Sequence, residues 1–177
     1  MRHNTTWHLI AGIDHWLLHG GSGGSTLILT YAQQHPRRVS EIVIAAATMT
    51  RRADIDWLYR GVGRFFPEQW ERFLEGSPGT PATETSSPPT PASWNILTRR
   101  AGKGHDRLVR LAGIPGVLIH GRLDLGGPLQ TAWDLHRAWP NSTLTVIESA
   151  GHLGTTATLG HVLRALDRFA VNDAPGG

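Results

Sequence analysis

A serine sits among glycines in Gly20-Gly21-Ser22-Gly23-Gly24, which satisfies G-x-S-x-G between an apolar run and a helical pattern. A lone hydroxyl is a weak nucleophile at neutral pH and needs a general base that a third group orients. At a sharp strand-to-helix turn the serine takes strained backbone angles. Gly20 and Gly24, two residues away on either side, must then be small, and Oγ is lifted clear of the sheet. The helix N-terminus that follows favours developing negative charge, and the Gly23 N–H is the expected oxyanion donor. Partners are sought in the order serine, acid, histidine, each on a loop after a later strand. Asp124 follows the apolar run ending at His120, in Gly121-Arg122-Leu123-Asp124, and His152 closes Ser149-Ala150-Gly151-His152. His152 would take the proton of Ser22, while Asp124 would hold the imidazole's tautomer and steady the imidazolium.

Bland readings compete at each position. Glycine-rich turns also cradle phosphates, and Gly21-x-Gly23 is half of a dinucleotide fingerprint. The third glycine would fall at Thr26, however, and the second strand ends in alanines rather than an acid. A tight turn without chemistry fits the same string. With ten histidines in the chain, one in a suitable loop is cheap, and Asp124 could simply be a turn residue before Gly126-Gly127-Pro128. Asp134 and Asp167 fall inside helical patterns, solvated or paired there. No H-E-x-x-H or comparable spacing occurs, so neither a metal nor a cofactor is expected. Three independent positions agreeing favours the triad.

The elements that must hold these residues alternate. Trp16 to His19 reads as a buried strand, Gly20 to Gly24 as the turn, and Ser25 to Gln34 as a helix before the Pro36 break. Val39 to Ala47, Gly116 to His120 and Leu144 to Ile147 are further apolar strands, as in a parallel sheet. Leu129, Trp133, His136 and Trp139 share a helix face ended by Pro140, and Leu159, Val162, Leu163, Leu166, Phe169 and Ala170 recur at helical spacing. The class is α/β, a sheet covered on both faces. Arg52 to Glu75 reads as two amphipathic helices separated at Pro67. Residues 76–93 turn to Pro, Ser, Thr and Gly and read as a flexible linker. The expected division is 1–50 for the elbow half of the core, 51–100 for a reduced helical cap with the linker, and 101–177 for the part carrying the acid and the histidine.

At 177 residues the chain suffices for one domain, and 40% hydrophobic against 18% charged residues leaves room for a core. The formal charge is +3, but the basic residues are scattered, with doublets only at Arg37-Arg38, Arg51-Arg52 and Arg99-Arg100. A nucleic-acid partner would need a clustered basic face, so none is expected. The absence of cysteine excludes disulfides and a thiolate nucleophile and fits a reducing compartment. The first residues, Met1 to Trp7, lack the apolar segment of a signal peptide, and Ile42 to Ala47 is too short to span a bilayer. A cytoplasmic protein without a membrane association is the expectation.

The chain resembles the proline iminopeptidases (prolyl aminopeptidases), α/β-hydrolases that remove an N-terminal proline from peptides. The resemblance rests on Asn4-Thr5-Thr6-Trp7-His8-Leu9, on Gly20-Gly21-Ser22 with Gly24-Ser25-Thr26-Leu27, and on Tyr31-Ala32-Gln33. It continues in Ile55-Asp56-Trp57 with Phe66-Pro67-Glu68, in Gly121-Arg122-Leu123-Asp124, in the tryptophan-rich stretch Ala132 to Pro140, and in Ala150-Gly151-His152. It implies a partial α/β-hydrolase fold, triad roles for Ser22, Asp124 and His152, and a peptide or small ester or amide substrate.

Against the family's pattern, the chain is expected to begin after the portion that carries the first strands and an H-G-G-P-type loop with the second oxyanion donor. The helix normally preceding the nucleophile strand is lost between Leu9 and Gly12. Gly23 stands where tryptophan is usual, Gly127 where cysteine is usual, and Trp94-Asn95 where a Trp-Glu pair of the cap is sought. The first strand would then present an apolar edge, open to pairing with a second copy of the chain. Losing one oxyanion donor costs about two to three orders of magnitude in turnover. Two rivals follow: a degenerate non-catalytic remnant, and an esterase with an open site.

Overall fold

A computed structural model describes residues 13–75 and 111–172. The expected linker at 76–93, the Asn4 to Leu9 stretch, the shortened segment before Gly12 and Trp94-Asn95 lie outside these residues. Four strands, β1 (Trp16–Ser22), β2 (Val39–Ala47), β3 (Gly116–Gly121) and β4 (Ser142–Ile147), form one parallel sheet in the order β1-β2-β3-β4. Helices α1 (Gly23–Gln34), α4 (Leu129–Ala138) and α5 (Thr156–Asn172) lie against it. Between β2 and β3 come a short helix α2 (Arg52–Asp56), a wide turn Trp57–Gly61, a tight turn Val62–Phe65 and helix α3 (Pro67–Glu75). The break at Pro67 is where proline belongs, at a helix's first position, since its missing N–H is unneeded there.

The central strands are mostly apolar because both faces are covered, with Ser40 and Glu41 of β2 and His120 of β3 as exceptions. Ile42, Ile44 and Leu118 point to the side of α1 and α4, with Leu29, Ala32, Ala132, Leu135 and Trp139. Val43, Val117, Ile119 and Ile147 point to the opposite side, against Val162, Ala165 and Phe169 of α5. Alternation fails twice: between Trp16 and Leu18, opposite Val39 and Ile42, and again at the end of β1. Between Gly21 and Ser22 the pairing slips, with Gly21 opposite Ala45 and Ser22 opposite Ala47. Ala46 is the extra residue, in the left-handed region at φ 48°. This bulge moves Ala47 onto the face of Ile42 and Ile44, and it lies beside the elbow, where bulges re-aim backbone groups.

Two expected helix faces differ from the sequence pattern, rotated in α4 and narrower in α5. In α4 the buried residues are Thr131, Ala132 and Leu135, continued by Trp139, while Trp133 is 48% exposed. In α5 Val162, Ala165 and Phe169 are buried, whereas Leu159 and Leu163 are half exposed. The 3.6-residue period selects one stripe, and residues a further 100° round point to solvent even when apolar. Trp139 is fully buried, and its indole N–H donates to the Ile114 carbonyl at 2.9 Å. A Cβ on Gly116 would come within 2.4 Å of that ring. Only glycine lets this strand pass the indole.

Candidate active site

The C-terminal ends of β1, β3 and β4 converge on one point, where parallel sheets commonly bind ligands. Ser22 closes β1, and α1 begins at the next residue. The turn expected over Gly20 to Gly24 is thus compressed into one residue, at φ 51° and ψ −131°. A non-glycine residue there is strained, and side-chain hydroxyls hold it. The Ser22 carbonyl accepts from Thr48 Oγ1 at 2.7 Å, and buried Ser25 Oγ lies within reach of the same carbonyl. Ser25 Oγ in turn accepts the Thr48 N–H at 2.8 Å. A hydroxyl has one hydrogen to give, so Ser25 donates to either Ser22 or Thr48 while Thr48 keeps the elbow carbonyl satisfied.

The glycines divide the work differently from expectation. A Cβ on Gly20 would meet only the tip of Ile28, at 2.8 Å, and one on Gly21 would meet the Ala45 carbonyl oxygen at 2.8 Å. Beside Gly23 and Gly24 nothing lies within 4 Å of such a Cβ among the described residues. The close approach therefore falls at Gly21, against backbone. Gly23 is the first residue of α1, and a helix's first N–H groups have no intrahelical acceptor.

The other two residues arrive on loops tied to each other. Arg122 N–H donates to Ile147 O at 3.0 Å and Leu123 N–H to Ala150 O at 2.9 Å. Arg122 also makes a two-point contact with Glu148, at 2.5 and 2.8 Å. Asp124 is 3% exposed. Its Oδ1 accepts the Gly127 N–H at 2.7 Å, and its carboxylate faces His152 Nδ1 at 2.9 and 3.0 Å. The turn role and the histidine contact are both present. His152 Nε2 lies 2.8 Å from Ser22 Oγ.

The protons follow from the partners. An ionised carboxylate only accepts, so Nδ1 of His152 carries hydrogen. In the neutral ring Nε2 is then the acceptor, and the Ser22 hydroxyl donates to it. Ser22, Asp124 and His152, distant in sequence, are brought into one continuous hydrogen-bonded series.

Residues the sequence reading passed over surround this series. Trp57, at the start of the wide turn after α2, donates its indole N–H to Leu125 O, in the acid loop, at 2.7 Å. Arg51 binds Asp54 at 2.9 Å and Asp134 at 3.1 Å, and reaches Thr131 Oγ1 at 3.1 Å, fastening the start of α2 to α4. Burial opposes the charge on Arg51, but Asp54 and Asp134 outweigh it and raise its pKa. Asp134 is thus paired, as one of its two expected readings had it. His120, fully buried at the end of β3, receives the Ala47 N–H on Nδ1 at 3.1 Å and donates from Nε2 to Gly127 O at 2.6 Å. Its signal in the sequence was a polar residue ending an otherwise apolar strand. No His, Asp and Glu cluster of metal-binding geometry occurs among the described residues, and no described helix is long and apolar enough to cross a membrane.

The alpha/beta hydrolase fold family matches residues 6–89. A proline iminopeptidase of Xylella fastidiosa (strain Temecula1) is 32% identical over 86% of this chain and 69% of its own length. A probable proline iminopeptidase of Streptomyces coelicolor is 33% identical over 94% and 72% respectively. The Xylella alignment runs 215 positions, more than this chain contains, so the relative carries residues that this chain lacks. Among solved structures, a meta-cleavage product hydrolase of Pseudomonas fluorescens IP01 superposes with a TM-score of 0.62 at 18% identity, over 96% of this chain and 69% of that one. That likeness concerns the fold alone. With the parallel sheet, the elbow and these relatives together, the chain belongs to the proline iminopeptidase family of α/β-hydrolases.

Proposed function

We propose that the chain is a cofactor-free serine hydrolase that releases N-terminal proline from peptides, with Ser22 as nucleophile, His152 as general base and acid, and Asp124 as the orienting carboxylate. The observation that carries this is the unbroken series Ser22 Oγ, His152 Nε2 at 2.8 Å, and His152 Nδ1 to Asp124 at 2.9 Å. The names of the relatives support the substrate class.

Ser22 Oγ attacks the carbonyl carbon of the first residue while its proton passes to His152 Nε2. The carbonyl electron pair moves onto oxygen, which faces the Gly23 N–H at the start of α1. Collapse re-forms the carbonyl and breaks the C–N bond, and His152 gives its proton to the departing amine. Water then attacks the seryl ester, losing a proton to His152. Collapse frees proline and returns the proton to Ser22 Oγ. Asp124 stays ionised and stabilises each imidazolium.

Ester hydrolysis on small acyl groups is the second reading, favoured by the open space beside Gly23 and Gly24 among the described residues. The test is labelling with a fluorophosphonate probe, with Ser22→Ala as control, followed by assays on prolyl aryl amides and aryl esters. Ser22-dependent labelling with prolyl amide turnover is the expected result. Ester turnover alone selects the second reading. A folded chain that does not label is a non-catalytic remnant.

A further inference from the structure

The Asp124 carboxylate has two imidazoles against it, and the proposed chemistry uses only one. His120 Nε2 lies 3.5 Å from Asp124 Oδ2, and both side chains are fully buried. The partners of His120 determine its protons. Ala47 N–H can only donate, so Nδ1 holds a lone pair. Gly127 C=O can only accept, so Nε2 carries hydrogen. A second proton on Nδ1 would point at the Ala47 N–H and leave that buried donor without an acceptor.

Two features of the backbone build this arrangement. Ile119 pairs with Ala45, where the β2–β3 ladder ends, and the bulge at Ala46 then offers the next N–H to the His120 ring. On the other side Gly127 is a pivot, with its N–H on Asp124 Oδ1 at 2.7 Å and its C=O on His120 at 2.6 Å. The Gly126-Gly127 pair has more backbone freedom than any other dipeptide, so an external anchor decides how firmly the carboxylate is aimed.

We propose that His120 is a positioning residue: it anchors the Gly127 carbonyl so that Asp124 stays aimed at His152 and, by remaining neutral, leaves the whole carboxylate charge to that ring. The proposal rests on the triad reading above. The titratable groups facing His120 are Asp124 and His152. Burial pushes its pKa down, outweighing the Gly127 contact and the Asp124 charge, and the His152 charge acts in the same direction as burial.

The experiment uses the full chain with nitrogen-15-labelled histidine. The His120 ring should show the Nε2–H neutral tautomer, unchanged between about pH 5 and 8, the window in which an ordinary histidine titrates. A His120 that titrates in that window, or carries its proton on Nδ1, overturns the proposal. Neither signal depends on activity. Failure of wild-type labelling would sink the triad reading while these signals still report on His120.

Three variants separate anchoring from mere packing. His120→Gln keeps a donor toward Gly127, His120→Asn keeps only an acceptor toward Ala47, and His120→Leu keeps neither. The expected result is a fluorophosphonate inactivation rate constant within about threefold of wild type for Gln. For Asn and Leu it falls by about 10- to 100-fold with probe affinity unchanged, the size of effect that a 1 Å misplacement produces. The His152 Nδ1–H proton resonance should persist in Gln and be lost in Asn. Should the Leu variant fail to fold, the Gln and Asn pair decides. Equal rates in Gln and Asn, with the resonance intact in both, overturn the anchoring role.

Discussion

Leu123 donates its backbone N–H to the carbonyl of Ala150 at 2.9 Å, and with the Arg122 contacts to Ile147 and Glu148 this bond joins the acid loop to the histidine loop. Asp124 and His152 are the next residues but one or nearer on either side of it. Their separation is therefore set by backbone, and only the elbow serine has to be brought to them from another strand pair.

Replacing Asp124 by Asn keeps the shape but offers an amide N–H₂ where a carboxylate accepted. The His152 ring then loses its reason to carry hydrogen on Nδ1. Inactivation by the fluorophosphonate probe should slow by about 10⁴-fold, the scale of a wrong tautomer in such a series, with the melting temperature little changed. A loss below tenfold would contradict the assigned proton positions.

Ser25→Ala removes the hydroxyl that accepts the Thr48 N–H beneath the elbow. A buried donor left unpaired costs about 1–3 kcal/mol, so urea unfolding should show a loss in that range. Labelling of Ser22 should slow as well, because the strained φ of 51° is less firmly held.

Ala46 tests the bulge from both directions. Left-handed backbone costs an ordinary L-residue about 1–2 kcal/mol, while glycine loses about 0.4–1 kcal/mol through the freedom of the unfolded chain. Ala46→Gly should thus be neutral or stabilising by up to about 1.6 kcal/mol. Ala46→Val, β-branched at positive φ, should destabilise clearly. Thermal unfolding of the two variants reads the difference.

Trp139→Ala should cost about 3–5 kcal/mol. It empties the space between Gly116 and Ile114 and strands the Ile114 carbonyl. With total stability of the order of 5–15 kcal/mol, that variant should be marginal, and calorimetry would measure it.

His120 also gives a pH dependence with a definite sign. Its folded pKa is lowered by burial, so below the ordinary histidine value, about 6.5, the unfolded chain binds the proton that the folded one refuses. Stability from this group is complete above that pH and declines as pH falls toward the folded value, with a limiting slope of about 1.4 kcal/mol per pH unit. His120→Gln should flatten the acid side of the melting-temperature profile.

The sheet and the three proposed catalytic positions were legible because they rest on short-range signals. A mostly apolar run such as Val39 to Ala47, broken by Ser40 and Glu41 near its start, is what a strand buried on both faces requires, and its bounds match β2. Ser22, Asp124 and His152 each follow such a run. Where the signal was long-range, reading failed. Nothing local to His120 says that Ala47 and Gly127 will meet its two nitrogens, and nothing near Arg51 names Asp134. Gly21 was passed over in favour of Gly24 because steric need depends on the neighbouring strand, here the Ala45 carbonyl. Trp133 and Trp139 look alike in sequence, and only the phase of α4 against the sheet buries one and exposes the other.

The wide sequence separation of Ser22 from His152, 130 positions, bears on how the protein is made. Chains emerge from the ribosome N-terminal end first, so the elbow is exposed to the cell long before β4 and the loop beyond it exist. Through that interval the Ser22 hydroxyl lacks the imidazole that it contacts in the folded chain. On the proposed chemistry, Ser22 would gain its reactivity only after the segment carrying His152 has been made and folded, well after the elbow itself.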